Sequence, residues 1–286
     1  MQQQDRKRQV QLFKVATGFY DTAAGVKVQR VMGSELVRIM RPWLKARSDA
    51  EEQGKDSDAL DPADFAPDSD DLVVQTIYNL KTLWPGCAKK NVLLFYSIEA
   101  LAEIYAEHKA SSNAALFLAW AVEGGRVRCV GGLTVCRAYA RPDLGTSDDV
   151  ISDADAGVLK PYMKKEPLFI DGVCSTSPGV GTALTIHAVR WALMRNHAGV
   201  LLLSFSSKPL RPPKMPESHR LFEKLFFETL VARARFKPPH NRHYHGSWMY
   251  LPLTSVPLYK LLEQGVQVCG RRAVNDKNRI VARCPP

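Results

Sequence analysis

The stretch from Pro167 to Ser207 constrains the fold more than any other part of the chain. Two apolar runs, PLFIDGVCS (167–175) and VLLLSFSS (200–207), flank the turn TSPGVG (176–181) and the helical run TALTIHAVRWALMRN (182–196). Short apolar runs bounded by turn residues read as buried strands. A glycine-rich turn that opens a helix presents backbone N–H groups with no partner inside the helix, and the helix dipole adds partial positive charge. Together they form a cradle for a phosphate or pyrophosphate. Gly179 and Gly181 would let such a ligand approach the backbone closely.

Two familiar phosphate motifs do not fit. A Walker A loop requires Lys directly after its last glycine, and Thr182 follows Gly181. A dinucleotide fingerprint requires a third Gly or Ala, and Leu184 stands there; strand–helix–strand repeats do not continue either.

The rest of the chain sorts into elements around this unit. ALFLAWAVEGG and RVRCVGGLTVCRAY read as a hairpin across Gly124–Gly125. GSELVRIMRPWLKAR predicts a helix with Ser34 as its cap and a kink at Pro42. DDLVVQTIYNLKTLW predicts a second helix, stopped by Pro85–Gly86. NVLLFY reads as a strand and SIEALAEIYAEHK as a helix capped by Ser97. Residues 141–166 read as a polar connection and KPLRPPKMP as a stiff loop. ESHRLFEKLFFETLVARA reads as one helix, SWMYLPL (247–253) as a strand and VPLYKLLEQG as a short helix.

Charge is unevenly spread. The net charge is +10, but Ser48 to Leu72 holds ten acids against one base, Lys55. That segment is therefore −9, and the other 261 residues carry +19. A body this basic attracts polyanions. The division expected is an N-terminal helical, basic segment (1–47), an acidic flexible linker or insertion (48–72) and a main domain (73–286). No apolar run approaches the length of a membrane span, and MQQQDRKRQVQLF lacks the apolar core of a secretory signal. Six cysteines without a CxxC pair disfavour a zinc ribbon and suit an intracellular, cytoplasmic or nuclear setting.

The order hairpin, strand, Gly-x-Gly, helix, strand, helix, strand resembles the GCN5-related N-acetyltransferase (GNAT) superfamily. In that family the fourth strand is followed by R/Q-x-x-G-x-G/A. Here Thr176-Ser177-Pro178-Gly179-Val180-Gly181 stands in its place, with Thr176 where the family has Arg or Gln. VRCVGGLTV (127–135) is similar to the third strand, HRLFEKLFFE (219–228) to the helix after the fifth, and SWMYLPL to the last strand. The resemblance spans about Asn113 to Leu253. It implies an α+β fold: a mixed, mostly antiparallel central sheet, splayed between strands four and five and flanked by helices. It also implies acetyl-CoA as co-substrate, no metal, and direct attack by a primary amine in a ternary complex.

Acetyl transfer from a thioester to an amine needs a neutral amine, a stabilised oxyanion and a proton for the departing thiolate. By the resemblance, the pantetheine arm runs between the splayed strands and the amides of Gly172, Val173 and Cys174 polarise the thioester. Ser175, Thr176, Ser177, Gly179, Val180, Gly181 and Thr182 would hold the pyrophosphate. Asp171 is the only carboxylate inside that strand, on the face of Phe169 and Val173 by strict alternation. Between apolar neighbours its pKa would rise, as suits a base; an Asp bonded into a turn is the plain alternative. Ser206 and Ser207, at the end of the next strand, would orient water or cofactor, and Tyr250 offers a further hydroxyl. The tyrosine that serves the family as general acid is replaced by Phe222.

Lys208, Arg211 and Lys214 would bind the 3′-phosphate of CoA, or form a solvated loop. HNRHYHG (240–246) places His240, His243 and His245 together without a nearby acid or Cys, which suits a contact loop better than a metal site. Cys174 reads as an inert buried thiol and His187 as a packed helix residue. Two functions remain: an acetyl-CoA-dependent N-acyltransferase acting on a protein lysine, an N-terminus, a polyamine or a small amine, or a catalytically degenerate protein that holds nucleic acid or an acidic partner.

Overall fold

The computed structural model describes residues 19–21, 26–84, 87–138, 153–210, 214–234 and 244–253. One mixed sheet organises them. Its strands are β1 (Phe19–Asp21), β2 (Lys27–Met32), β3 (Ala115–Glu123), β4 (Arg126–Arg137), β5 (Leu168–Ser175), β6 (Gly199–Leu210), β7 (Glu228–Ala234) and β8 (Tyr244–Pro252). They lie in the order β1-β2-β3-β4-β5-β6-β8-β7. Every neighbouring pair is antiparallel except β5 and β6. The α+β class and the mixed, mostly antiparallel sheet expected from the sequence are present.

Among the described residues, six helices cover the two faces: α1 (Gly33–Glu52), α2 (Leu72–Tyr78), α3 (Ala88–His108), α4 (Asp153–Met163), α5 (Val180–Met194) and α6 (His219–Lys224). Side-chain alternation along the strands builds one core on each face. Leu36 and Trp43 of α1, Ile77 of α2 and Phe95 and Ile98 of α3 pack with Phe169, Leu201 and Trp248. Val180, Leu184 and Val189 of α5 and Phe222 of α6 pack with Leu168, Ile170, Val200 and Met249 on the other face. Glu99, almost fully buried, ties α3 to α1. Its Oε1 accepts from Trp43 Nε1 at 2.6 Å and from the Arg47 guanidinium at 2.7 Å. Burying that carboxylate is tolerable only because both donors reach it.

Several expectations are corrected. NVLLFY is not a strand: with SIEALAEIYAEH it forms α3, and Ser97 lies mid-helix. The buried positions Asn91, Leu94, Phe95, Ile98, Leu101 and Ala102 recur every three to four residues, the spacing of a helix face. The long helix read over 217–234 stops at Lys224. Phe226 takes a left-handed conformation (φ 65°), and the chain leaves it as strand β7. Helix α1 follows β2 directly, with Met32 rather than Ser34 at its cap, and continues through Pro42. Within 141–166, α4 occupies 153–163. Lys208 to Leu210 extend β6 instead of starting a loop. The segment after Leu253 lies outside the described residues.

The acidic stretch 48–72 contains local regular structure. It holds the end of α1 and two 3-10 turns, Ser57–Ala59 and Pro62–Phe65. Phe65 meets the Trp43 ring edge-on at 5.8 Å. Two of the acids act as caps: Asp61 accepts from the Ala63 N–H, and Asp71 accepts from the Val73 N–H at the start of α2.

Two buried histidines predict an acid limit to stability. Burial and, secondarily, Arg190 push the His187 pKa down to about 4. Burial also lowers His197, whose ring bonds the Glu166 carbonyl and Asn113. The unfolded chain therefore binds protons the folded one refuses. Stability should be complete above about pH 6.5 and decline as pH falls towards 4. In urea titrations across that window, His187→Gln should remove up to about 3 kcal/mol of the decline.

Candidate functional site

The sheet opens at one place. Strands β5 and β6 pair only at Leu168↔Val200, Phe169↔Leu201 and Ile170↔Leu202. Beyond that, each strand follows its other neighbour. Gly172 to Ser175 continue along β4, opposite Thr134 to Gly131, while Leu203 to Phe205 continue along β8. The splay expected between the family's fourth and fifth strands is thus present, between the fifth and sixth strands here. Thr176 N–H donates to the Val130 carbonyl at 2.9 Å. The alternation of an antiparallel ladder then turns the N–H groups of Val173 and Ser175 towards the gap.

Asp171 is the extra residue of a β-bulge. The register runs from Val135↔Ile170 to Thr134↔Gly172 and skips it. Strict alternation placed Asp171 on one face with Phe169 and Val173; the bulge overturns that. Phe169 belongs to the α1–α3 core, whereas Val173 packs against the α5–α6 core. One inserted residue inverts the faces of everything after it and re-aims the side chain at the insertion. Asp171 is half-buried, at the point where β5 leaves β6.

Two consecutive glycines bring a helix close to each face of β4 beside the splay. A Cβ on Gly131 would lie 2.8 Å from Val180 Cγ1 of α5 and 3.0 Å from the Cys174 carbonyl oxygen. A Cβ on Gly132 would lie 2.7 Å from Leu94 Cδ2 of α3. Gly172 likewise sits under Ser97 of α3 and beside Thr134, whose buried hydroxyl finds no partner among the described residues.

The Gly-x-Gly turn forms as the sequence suggests. Gly179 caps α5 in a left-handed conformation (φ 83°) and is exposed. The Val180 N–H is taken by the Ser177 carbonyl and the Ala183 N–H by Gly179. Gly181 and Thr182 have no carbonyl behind them inside the helix. Val180 is buried, and its side chain serves packing. Thr176, in place of the family's Arg or Gln, spends its hydroxyl on the Val130 carbonyl at 3.1 Å.

The structure gathers Asp171 to Thr182 at the open end of β5 but not every expected site residue. Of the three amides expected at the thioester, those of Gly172 and Cys174 turn towards β4 by the same alternation as Thr176, which leaves Val173; the Cys174 side chain is buried on the α3 side. Tyr250 lies at the closed end: it pairs with Leu201, meets the tilted Tyr162 ring at 4.8 Å between centroids and donates to the Ala198 carbonyl at 3.3 Å. From Ala198 to Leu202, where pairing with β5 ends, is about 13 Å along the strand. Ser206, Ser207 and Lys208 lie on β6 past the splay, where the backbone alone is described; Arg211 lies outside the described residues, and Lys214 is exposed. His240 and His243 lie outside the described residues too.

Sequence reading overlooked the groups contributed by α6. Ser218 Oγ and Ser204 Oγ, on the splayed part of β6, lie 2.8 Å apart. Leu221 reaches to 3.6 Å of where a Gly181 Cβ would stand. His219 is 4% exposed; its Nε2 lies 3.1 Å from Glu223 Oε1, and its Nδ1 has no partner among the described residues. The spacing His-x-x-x-Glu was readable as an (i, i+4) pair. Its place beside the splay depends on tertiary packing.

No family model matches the sequence, and no curated protein matches it. Among solved structures, the chain is similar to a CoA-dependent acyl-homoserine lactone synthase, BjaI. The identity is 10%, over 65% of this chain and 84% of that one, with a TM-score of 0.32. A likeness at that level is too slight to bear on activity. Among the described residues, no group of three His, Cys, Asp or Glu is placed to hold a metal, and no helix is long and apolar enough to cross a membrane.

The glycine pair makes a specific prediction. Gly131→Ala should cost about 1–3 kcal/mol, because the Cys174 carbonyl cannot yield without disturbing the ladder. Gly132→Ala should cost less, because its obstacle is the end of a leucine side chain. Urea unfolding of the two variants should rank them in that order.

Proposed function

We propose that this protein transfers an acyl group from a CoA thioester to an amine, with acetyl as the acyl group and a primary amine as acceptor. The observation that carries the reading is the parting of β5 from β6 after three paired residues, next to the glycine-capped start of α5. An extended thiol arm needs a slot between strands, and its diphosphate needs N–H donors at the mouth of that slot. Both features converge here. The Val173 N–H, turned to the gap, would bond a thioester carbonyl and the oxyanion that develops on it. The N–H groups of Gly181 and Thr182 would hold the diphosphate.

Asp171 would take the proton the amine must lose. The amine nitrogen attacks the carbonyl carbon, the C–N bond forms, the C–S bond breaks, and the electron pair leaves on sulfur. Tyr250 takes no part in this scheme. Isothermal calorimetry should find CoA binding in the micromolar range, abolished in Gly179→Trp, where a bulky side chain would block the mouth of the slot. Absence of binding at millimolar CoA would overturn the proposal. Asp171→Asn should leave CoA affinity within about threefold and lower kcat by about 10²–10⁴-fold, measured as thiol release.

A second reading is a basic binding protein that has kept the sheet but lost the chemistry. The guanidinium groups of Arg30 and Arg195 lie 4.2 and 4.3 Å from the Trp191 ring centroid, a concentration of positive charge on the α5 face. It predicts salt-sensitive binding of nucleic acid with no response to CoA.

A further inference from the structure

Two hydroxyl groups beside the splay have no role in the acyl-transfer scheme. Thr134, on β4, is fully buried, and its Oγ1 bonds to nothing among the described residues. Ser97, half-buried in the middle of α3, makes no hydrogen bond among the described residues either. It does not turn back on its own helix as Thr185 does, whose hydroxyl donates to the Gly181 carbonyl at 2.8 Å. A buried hydroxyl without a partner carries a desolvation cost that packing does not offset.

Both oxygens converge on one point of β5. A Cβ on Gly172 would lie 2.9 Å from Ser97 Oγ and 3.3 Å from Thr134 Oγ1. The side chain that glycine lacks leaves a space bordered by the two hydroxyls. Gly172 lies two residues beyond Ile170, the last residue of β5 to pair with β6.

The bulge sets Asp171 on the same face. Ile170 packs in the α5–α6 core, so alternation turns the next residue, Asp171, to the α3 face. Val173 packs against the α5–α6 core as well, so Gly172 before it also faces α3, as its approach to Ser97 shows. The two residues of the bulge thus share a face. Asp171, Gly172 and Ser97 all keep contact with solvent. A carboxylate next to the hydroxyls disfavours a developing oxyanion there and favours a group that donates hydrogen bonds.

We infer that this cluster seats the acceptor: the hydroxyls of Thr134 and Ser97 hold the amine nitrogen beside Asp171, and the amine attacks the thioester from the α3 face. The inference rests on the acyl-transfer reading of the same site. A neutral primary amine carries two N–H groups and a lone pair. One N–H donates to the hydroxyls, the other to Asp171, and the lone pair forms the C–N bond. Asp171 takes the nitrogen's proton, and the electron pair of the broken C–S bond leaves on sulfur. A secondary amine has a single N–H and leaves either the hydroxyls or the carboxylate unmatched. The site therefore selects primary amines.

The test uses the full chain with ¹³C-labelled threonine methyls, saturated with CoA and titrated with propylamine and with N-methylpropylamine. Propylamine should shift the Thr134 methyl, and N-methylpropylamine should leave it in place. Equal responses to the two amines, or no response while CoA stays bound, would overturn the inference and leave the acyl-transfer reading standing. Failure of CoA to bind would take both down. In thiol release from acetyl-CoA, Thr134→Val keeps the shape of the side chain and removes the hydroxyl. It should raise the KM for propylamine by about 5- to 10-fold, the worth of one hydrogen bond, and change kcat less. Ser97→Ala, at a half-buried helix position, should act in the same direction without altering CoA affinity. Urea unfolding should find Thr134→Val no less stable than wild type, because the hydroxyl it removes has no partner. If water alone fills the space, both variants keep the wild-type KM, and the inference falls.

Discussion

The site depends on the three-residue parallel pairing between β5 and β6. Each strand is committed elsewhere: β5 to β4 through Ser175, and β6 to β8 through Phe205. Sheet twist accumulates along strands anchored on opposite sides, and the only parallel seam among the described strands is where the sheet parts. The cost is backbone N–H and C=O groups left without a strand partner. A protein tolerates this where water or a ligand can supply the missing bonds. The bulge at Asp171 occurs at the same point, so one irregularity in β5 frees the strand from β6 and re-aims its only carboxylate.

The glycines of β4 explain how two helices flank that opening. Gly131 admits Val180 and Leu184 of α5 on one face, and Gly132 admits Leu94 of α3 on the other. A side chain at either position would lift its helix and widen the site. The position of the α5 start is therefore set by a strand two places from β6, through van der Waals contact rather than hydrogen bonding. This is a rigid way to hold N–H donors, since close-packed interiors do not deform smoothly.

What was legible in the sequence was local. The 115–137 hairpin and the unit from Leu168 to Phe205 carried strand, turn and helix signals within a few residues of each other, and all formed as read. NVLLFY misled because a short apolar run fits a buried strand and a buried helix equally well, and length decides. Here Asn91 to Ile104 make a single helical face. The bulge at Asp171 could not be read, because a register shift is set by the partner strand. His219 was overlooked for a related reason. HRLFE displays the pair, but only packing shows that Nδ1 ends buried and unmatched while its neighbour Ser218 touches β6.

The charge balance also changes meaning once side chains are placed. A body at +19 outside 48–72 suggested a surface waiting for a polyanion. Several of those cations already have partners in the chain. Arg30 and Arg195 lie over Trp191. Lys81 lies within 5.7 Å of the ring centroids of Trp43, Phe95 and Tyr96. A guanidinium or ammonium over an aromatic face keeps its charge but is held in place and partly desolvated. Net charge counts such groups in full, whereas an approaching phosphate meets them already engaged. The excess of bases is thus weaker support for a nucleic-acid partner than the opening between β5 and β6 is for a thioester.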